Sequence, residues 1–125
     1  MKRVLLVDDS KFSCKREGEM IKECNPEFEV QLAYLPSQAL EIINDVKGAF
    51  DIIFLDFNMP EMNGLELAEK LNEYYPNEKI VMLTATSAFA TRSKSLPEGM
   101  RLIQKPLSVD KLKEALTDNE LLASA

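Results

Sequence analysis

The sequence predicts an α/β fold built on a parallel sheet. Short apolar runs alternate with helix-length segments, and each run leads to a polar group. Val4-Leu5-Leu6-Val7 closes on Asp8-Asp9-Ser10, Ile52-Ile53-Phe54-Leu55 on Asp56, and Ile80-Val81-Met82-Leu83 on Thr84. A shorter run, Leu102-Ile103, leads through Gln104 to Lys105-Pro106. Uninterrupted apolar strands of this kind are buried on both faces, as in a parallel sheet covered by helices.

Each element has its own local signal. Residues 2–7 form the first strand. Ser10 can cap a helix running to about Glu23, with sparse apolar positions at Phe12, Met20, Ile21 and Cys24 and with Gly18 weakening it. Asn25-Pro26 ends that helix. Residues 28–33 alternate through Phe28, Val30 and Leu32 as a second strand. Ser37 opens a helix to about Val46 with Ala39, Leu40, Ile42 and Ile43 inward, and Lys47-Gly48 stops it. Residues 51–55 form the central strand, and the loop Asp56-Phe57-Asn58-Met59-Pro60-Glu61-Met62-Asn63-Gly64 follows. Residues 65–75 form a helix carrying Leu67, Ala68 and Leu71, ended by Pro76. Residues 79–83 are the fourth strand. Residues 85–99 have weak helical periodicity and finish on the turn Pro97-Glu98-Gly99. Residues 100–104 are a fifth strand, and Ser108 caps a last helix with Val109, Leu112, Ala115 and Leu116 inward. Helix-length connections require parallel strands with right-handed crossovers. The expected architecture is a flavodoxin-like, doubly wound three-layer sandwich, with a five-stranded parallel sheet in the order 2-1-3-4-5.

Composition narrows the function. With 125 residues the chain is expected to be a single domain, 1–125. A net charge of −6 argues against direct nucleic-acid binding, which needs a basic face. The chain has no histidine, which removes histidine–zinc sites, Ser-His-Asp systems and any phosphohistidine of its own. Cys14 and Cys24 fall in one predicted helix, ~15 Å apart at 1.5 Å of rise per residue, beyond disulfide reach. They read as reduced thiols of a cytoplasmic protein, Cys24 facing the core. No apolar run is long enough to insert in a membrane.

The strand ends carry the chemistry. In an open parallel sheet, ligands bind outside the carboxyl ends of the strands, where Asp8, Asp9, Asp56, Thr84 and Lys105 would gather. Asp8 and Asp9 are neighbours, but at a strand end bending into a helix both can approach one cavity. Three carboxylates together repel unless a cation sits among them, and oxygen-only ligands favour Mg²⁺. Asp56 can act as the nucleophile toward a phosphoryl group, since carboxylates serve as covalent phosphoryl acceptors. Lys105 can pair with a carboxylate at rest and with a phosphoryl oxygen later, and Thr84 can donate a hydrogen bond to the same group. Taken singly, each of these residues is more often a helix cap, a turn residue or a strand-end hydroxyl than a functional group. Their placement at one end of one sheet makes the joint reading.

These elements resemble the receiver domain of two-component response regulators: Asp8-Asp9-Ser10, Asp56 with Asn58-Met59-Pro60-Glu61-Met62-Asn63-Gly64, Leu83-Thr84-Ala85, and Lys105-Pro106. The resemblance covers nearly all of the chain. It implies that Asp56 accepts a phosphoryl group from the phosphohistidine of a sensor histidine kinase or phosphotransfer protein. It implies that Asp9 and Asp56 bind Mg²⁺ directly, that Asp8 acts mostly through water, and that Asn58 offers its backbone carbonyl. Thr84 and Lys105 would contact the phosphoryl group, with a Lys105-Pro106 bond often cis in this family, and the side chains of Asn58 and Thr86 would tune dephosphorylation. The implied protein is a stand-alone, chemotaxis-type switch. It catalyses only its own phosphorylation and dephosphorylation, and signals by binding an unidentified downstream protein.

Two departures from the family pattern stand out. The position three residues before the lysine, commonly Tyr or Phe, is Leu102, and residues 85–99 lack the usual alanine-rich helix. They lend weight to a constitutive interaction module that kept the fold without switching. A haloacid-dehalogenase-type phosphatase would want a second acid two residues after the nucleophile, where Asn58 stands. A flavin-binding flavodoxin would want a Ser/Thr/Gly-rich phosphate loop after the first strand.

Overall fold

The computed structural model describes residues 2–46, 49–85 and 96–119. Strands β1 (Arg3–Val7), β2 (Glu29–Ala33), β3 (Ile52–Asp56), β4 (Ile80–Thr84) and β5 (Arg101–Gln104) form one sheet in the order β2-β1-β3-β4-β5. All four pairings are parallel. Among the described residues three connections carry α-helices, α1 (Lys11–Cys24), α2 (Pro36–Val46) and α3 (Gly64–Leu71), and a fourth, α4 (Val109–Asp118), follows β5. The expected fold and strand order are those observed.

Alternation along the strands sends successive side chains to opposite faces, and this builds the three layers. Leu5, Val7, Ile53, Leu55, Ile80 and Met82 pack with Ala39 and Ile43 of α2 and Leu67 and Leu71 of α3. Val4, Leu6, Ile52, Phe54, Val81, Leu83 and Ile103 pack on the other face with Cys14 and Ile21 of α1 and Leu112 and Leu116 of α4. Every residue of β3 and β4 is buried, as the uninterrupted apolar runs imply.

Two helices differ from the sequence reading. The inward stripe of α1 is Cys14, Glu17, Gly18 and Ile21. Phe12 is 77% exposed, Cys14 is the core thiol, and Cys24 is only half-buried. Gly18 lies close to β2: a Cβ there would stand 3.1 Å from Leu32 Cδ2, a tight contact that the leucine side chain would have to accommodate. Helix α3 stops at Leu71, short of Tyr75. There the Asn72 side chain donates to the Tyr75 carbonyl and to Asn77 Oδ1, and Tyr75 turns inward to accept the Phe50 backbone N–H on its hydroxyl. The Tyr75 N–H still bonds the Leu71 carbonyl at 2.9 Å, and a short 3₁₀ turn, Asn77–Lys79, leads into β4. The Lys47-Gly48 stop and the weakly periodic stretch 86–95, with Thr86, lie outside the described residues.

The ends of the sheet are fixed by backbone bonds that continue the ladders. Asp8 N–H donates to the Ala33 carbonyl, Phe57 N–H to Leu83 and Lys105 N–H to Thr84, at 3.1, 2.7 and 2.7 Å. The parallel register therefore carries Asp8, Asp56, Thr84 and Lys105 to the carboxyl end of the sheet.

Candidate functional site

Four chain segments supply the site. Asp8 and Asp9 follow β1 and are held by the start of α1. Ser10 caps that helix by accepting the Ser13 N–H, and its own N–H donates to Asp8 Oδ1 at 3.0 Å. The turn is tight enough for both aspartates to reach one place, although Asp8 is buried and Asp9 exposed. Asp56 ends β3, buried, and receives a hydrogen bond from the backbone N–H of Asn58. Thr84 ends β4, fully buried. Lys105 follows β5, and the Lys105-Pro106 peptide is cis.

The loop after Asp56 is anchored at both ends. Asn63 and Glu66 form a reciprocal capping box on α3, each side chain accepting the other's backbone N–H at 2.9 Å. Gly64 sits against the strand end. A Cβ there would lie 2.8 Å from the Asp56 carbonyl oxygen and 2.6 Å from Met82 Sδ, so the helix can begin this close to Asp56 only with glycine. Glu61 adopts a φ of 71°, uncommon for a residue with a side chain, and its carboxylate accepts the Ser37 backbone N–H and hydroxyl at 3.0 and 3.1 Å.

Asp8, Asp9 and Asp56 each present a carboxylate oxygen within 4.8 Å of the others. Lys105 Nζ is 2.9 Å from Asp8 Oδ2, 3.5 Å from Glu17 Oε2 and 3.7 Å from Asp56 Oδ1. Burial pushes the Asp56 carboxyl up to about 6; Lys105 counters this, and the charges of Asp8 and Asp9 reinforce it. Burial would raise Asp8 as well, but hydrogen bonds from Lys105, Ser10 and the Glu17 carboxyl hold it below the usual range. Burial pushes Glu17 up to about 7, helped by the shared hydrogen bond with Asp8. Burial opposes the charged form of Lys105, yet its bond to Asp8 and the charges of Glu17 and Asp56 raise it overall.

The structure thus gathers Asp8, Asp9, Asp56 and Lys105, and places Thr84 on the adjoining strand end with its carbonyl bonded to the Lys105 N–H. Asn58 is exposed, bonded to Asp56 through its backbone. The three clustered carboxylates form an all-oxygen donor set whose negative charge the single Lys105 ammonium does not cancel, the kind that accepts a hard divalent ion. Sequence reasoning missed Glu17. Its signal was the i, i+3, i+4, i+7 spacing of Cys14, Glu17, Gly18 and Ile21, which puts the carboxylate on the buried stripe of α1.

A family model described as the response regulator receiver domain matches residues 4–117. Chemotaxis protein CheY of Thermotoga maritima is 31% identical over 116 residues, covering 92% of this chain and 94% of that protein. Hybrid signal transduction histidine kinase B of Dictyostelium discoideum is 35% identical over 121 residues, covering 86% of this chain. The solved structure of the response regulator TrrA from Thermotoga maritima, in complex with Mg(2+)-BeF, matches with a TM-score of 0.77 at 30% identity, covering 98% of this chain and 100% of that one. The chain spans 6%, 26% and 48% of the length of three curated relatives it matches, the kinase among them. Among the described residues no helix is long and apolar enough to cross a membrane.

Proposed function

The chain belongs to the response regulator receiver domain family, and from that premise we propose that it is a phosphoryl-accepting switch with Asp56 as the acceptor. The observation that carries this reading is the Asp56 carboxylate, grouped with Asp8 and Asp9 within 4.8 Å and facing the Lys105 ammonium at 3.7 Å. The donor is the phosphohistidine of a sensor histidine kinase or phosphotransfer protein. An Asp56 oxygen attacks phosphorus; the new O–P bond forms as the P–N bond breaks, and the electron pair leaves on the imidazole nitrogen. Lys105 then pairs with one phosphoryl oxygen, and the Thr84 hydroxyl donates to another. Hydrolysis of the acyl phosphate returns Asp56 and releases inorganic phosphate, so the chain acts only on its own phosphoryl group.

Asp8, Asp9 and Asp56 fit Mg²⁺ through their carboxylates, and Asn58 through its backbone carbonyl. When bound, the ion neutralises negative charge on the transferring oxygens. The Mg(2+)-BeF complex of the similar TrrA supports Mg²⁺ as the ion. With a net charge of −6, the output is binding of a downstream protein rather than nucleic acid. Two free thiols, one buried, favour a cytoplasmic setting. Residues 1–125 work as one receiver unit.

The test is phosphorylation by acetyl phosphate with Mg²⁺, followed by intact-mass and peptide mapping. One base-labile phosphoryl group is expected on Asp56, and Asp56→Asn is expected to abolish it. Full modification of Asp56→Asn would place the acceptor elsewhere.

A further inference from the structure

Among the described residues the buried polar side chains are Asp8, Glu17, Asp56 and Thr84, and the proposed phosphoryl chemistry leaves Glu17 without a role. Glu17 occupies a core position of α1, on one stripe with Cys14 and Ile21. A carboxylate there costs stability unless it is paired. Its pairing is incomplete. Glu17 Oε2 lies 3.5 Å from Lys105 Nζ and the carboxyl shares a hydrogen bond with Asp8, while Oε1 is buried without a hydrogen-bond partner.

Lys105 is therefore held from two sides. Asp8 and Asp56 approach its ammonium from the strand ends, and Glu17 approaches from the helix. Glu17 does not belong to the group of three oxygens that can share a cation. A divalent ion on the aspartates would engage their charge and leave that of Glu17 free to attract the ammonium. A cleft of about 400 Å³, lined by Ser13, Arg16, Glu17, Met20, Lys105 and Leu107 among others, gives the ammonium room on that side.

We propose that Glu17 is a positioning residue that acts through Lys105, drawing the ammonium toward α1 and competing with the phosphoryl oxygen for it. Phosphorylation then has to pull Lys105 off Glu17 as well as off Asp8. This sets how strongly the lysine holds the phosphoryl group. The inference rests on the assignment of Lys105 to the phosphoryl oxygen.

The experiment is a double-mutant cycle read by calorimetric binding of beryllofluoride with Mg²⁺, at one fixed, mildly alkaline pH. Glu17→Gln keeps the shape of the side chain and removes its charge. It is expected to bind beryllofluoride about 3- to 10-fold tighter than the parent. The straight-chain, apolar Glu17→Met is expected to give the same gain, which covers the case in which the glutamine variant folds poorly. In a Lys105→Met background neither replacement should tighten binding. Equal affinity of the parent and both Glu17 variants overturns the inference, and so does a gain that persists without Lys105. Beryllofluoride binding that is indifferent to Lys105→Met itself would instead remove the role of Lys105, a different failure.

Discussion

The Lys105 ammonium stands 2.9 Å from Asp8 and 3.7 Å from Asp56, so the closer partner of the lysine is the buried aspartate after β1 and not the proposed acceptor. That preference follows from the resting charges. Asp8 is held ionised by hydrogen bonds from Lys105, Ser10 and Glu17, despite its burial. Asp56 has its carboxyl raised to about 6, burial being the largest cause. The lysine offsets the repulsion among three carboxylates, a task that a divalent ion can take over.

Mg²⁺ is accordingly expected to stabilise the folded protein. An ion that binds only the folded state at a hundredfold excess over its Kd adds about 2.7 kcal/mol. For a chain of this size the melting temperature should rise on the order of 10 °C. Asp9→Ala should blunt the rise, because Asp9 is an exposed member of the cluster and its removal leaves the core intact. Thermal melts at constant ionic strength, with and without millimolar Mg²⁺, make the measurement. Coincident curves would remove the metal from the site.

The same carboxyls set a pH dependence in the absence of metal. Glu17 is raised from 4.5 to about 7 and Asp56 from 3.8 to about 6, in each case chiefly by burial. Between the ordinary and the raised values the folded chain keeps protons that the unfolded chain has released. The contribution of these two groups to stability therefore falls as pH rises from ~4 to ~7. Asp8 works in the opposite sense: lowered from 3.8, it stabilises above that value and is lost as pH falls through its folded value. Urea denaturation at intervals from about pH 5 to about pH 7.5 should show the site's contribution declining with pH. Glu17→Gln should flatten that slope. A slope unchanged by Glu17→Gln would mean that Glu17 titrates normally.

The strand ends were legible in the sequence because each apolar run is short, uninterrupted and closed by a polar residue. A parallel register then leaves little freedom over where Asp8, Asp56, Thr84 and Lys105 must lie. Glu17 was not legible for the opposite reason. It stands among Lys15, Arg16 and Glu19, and a lone glutamate in a charged, weakly apolar helix reads as solvent-facing. Only its placement on a stripe with Cys14, Gly18 and Ile21 separates it from its neighbours, and two members of that stripe are not hydrophobic in the usual sense. The exposure of Phe12 is the other half of the same misreading. Around the early end of α3, the Asn72 side chain bonds Tyr75 and Asn77, and the Tyr75 hydroxyl accepts from Phe50. The last of these joins residues 25 positions apart, beyond any local pattern.

Leu102 allows a last prediction that separates the phosphoryl chemistry from its readout. It lies on β5 opposite Met82, half-buried, and packs toward the α2–α3 side of the sheet. Its neighbour Ile103 points to the opposite face, as alternation requires. Leucine has no ring to move between two rotamers and no polar tip to bond, so Leu102 supports the fold by packing alone. A fully buried leucine costs ~2–5 kcal/mol when cut to alanine. For a half-buried one, Leu102→Ala should cost less, about 1–2 kcal/mol. Asp56 should still be phosphorylated by acetyl phosphate to the level of the parent, because Asp8, Asp9, Asp56 and Lys105 hold one another without Leu102. Denaturant titration and intact-mass analysis of the same preparation give both numbers. If Leu102→Ala remained folded yet lost phosphorylation as fully as Asp56→Asn, Leu102 would be part of the site and the separation would fail.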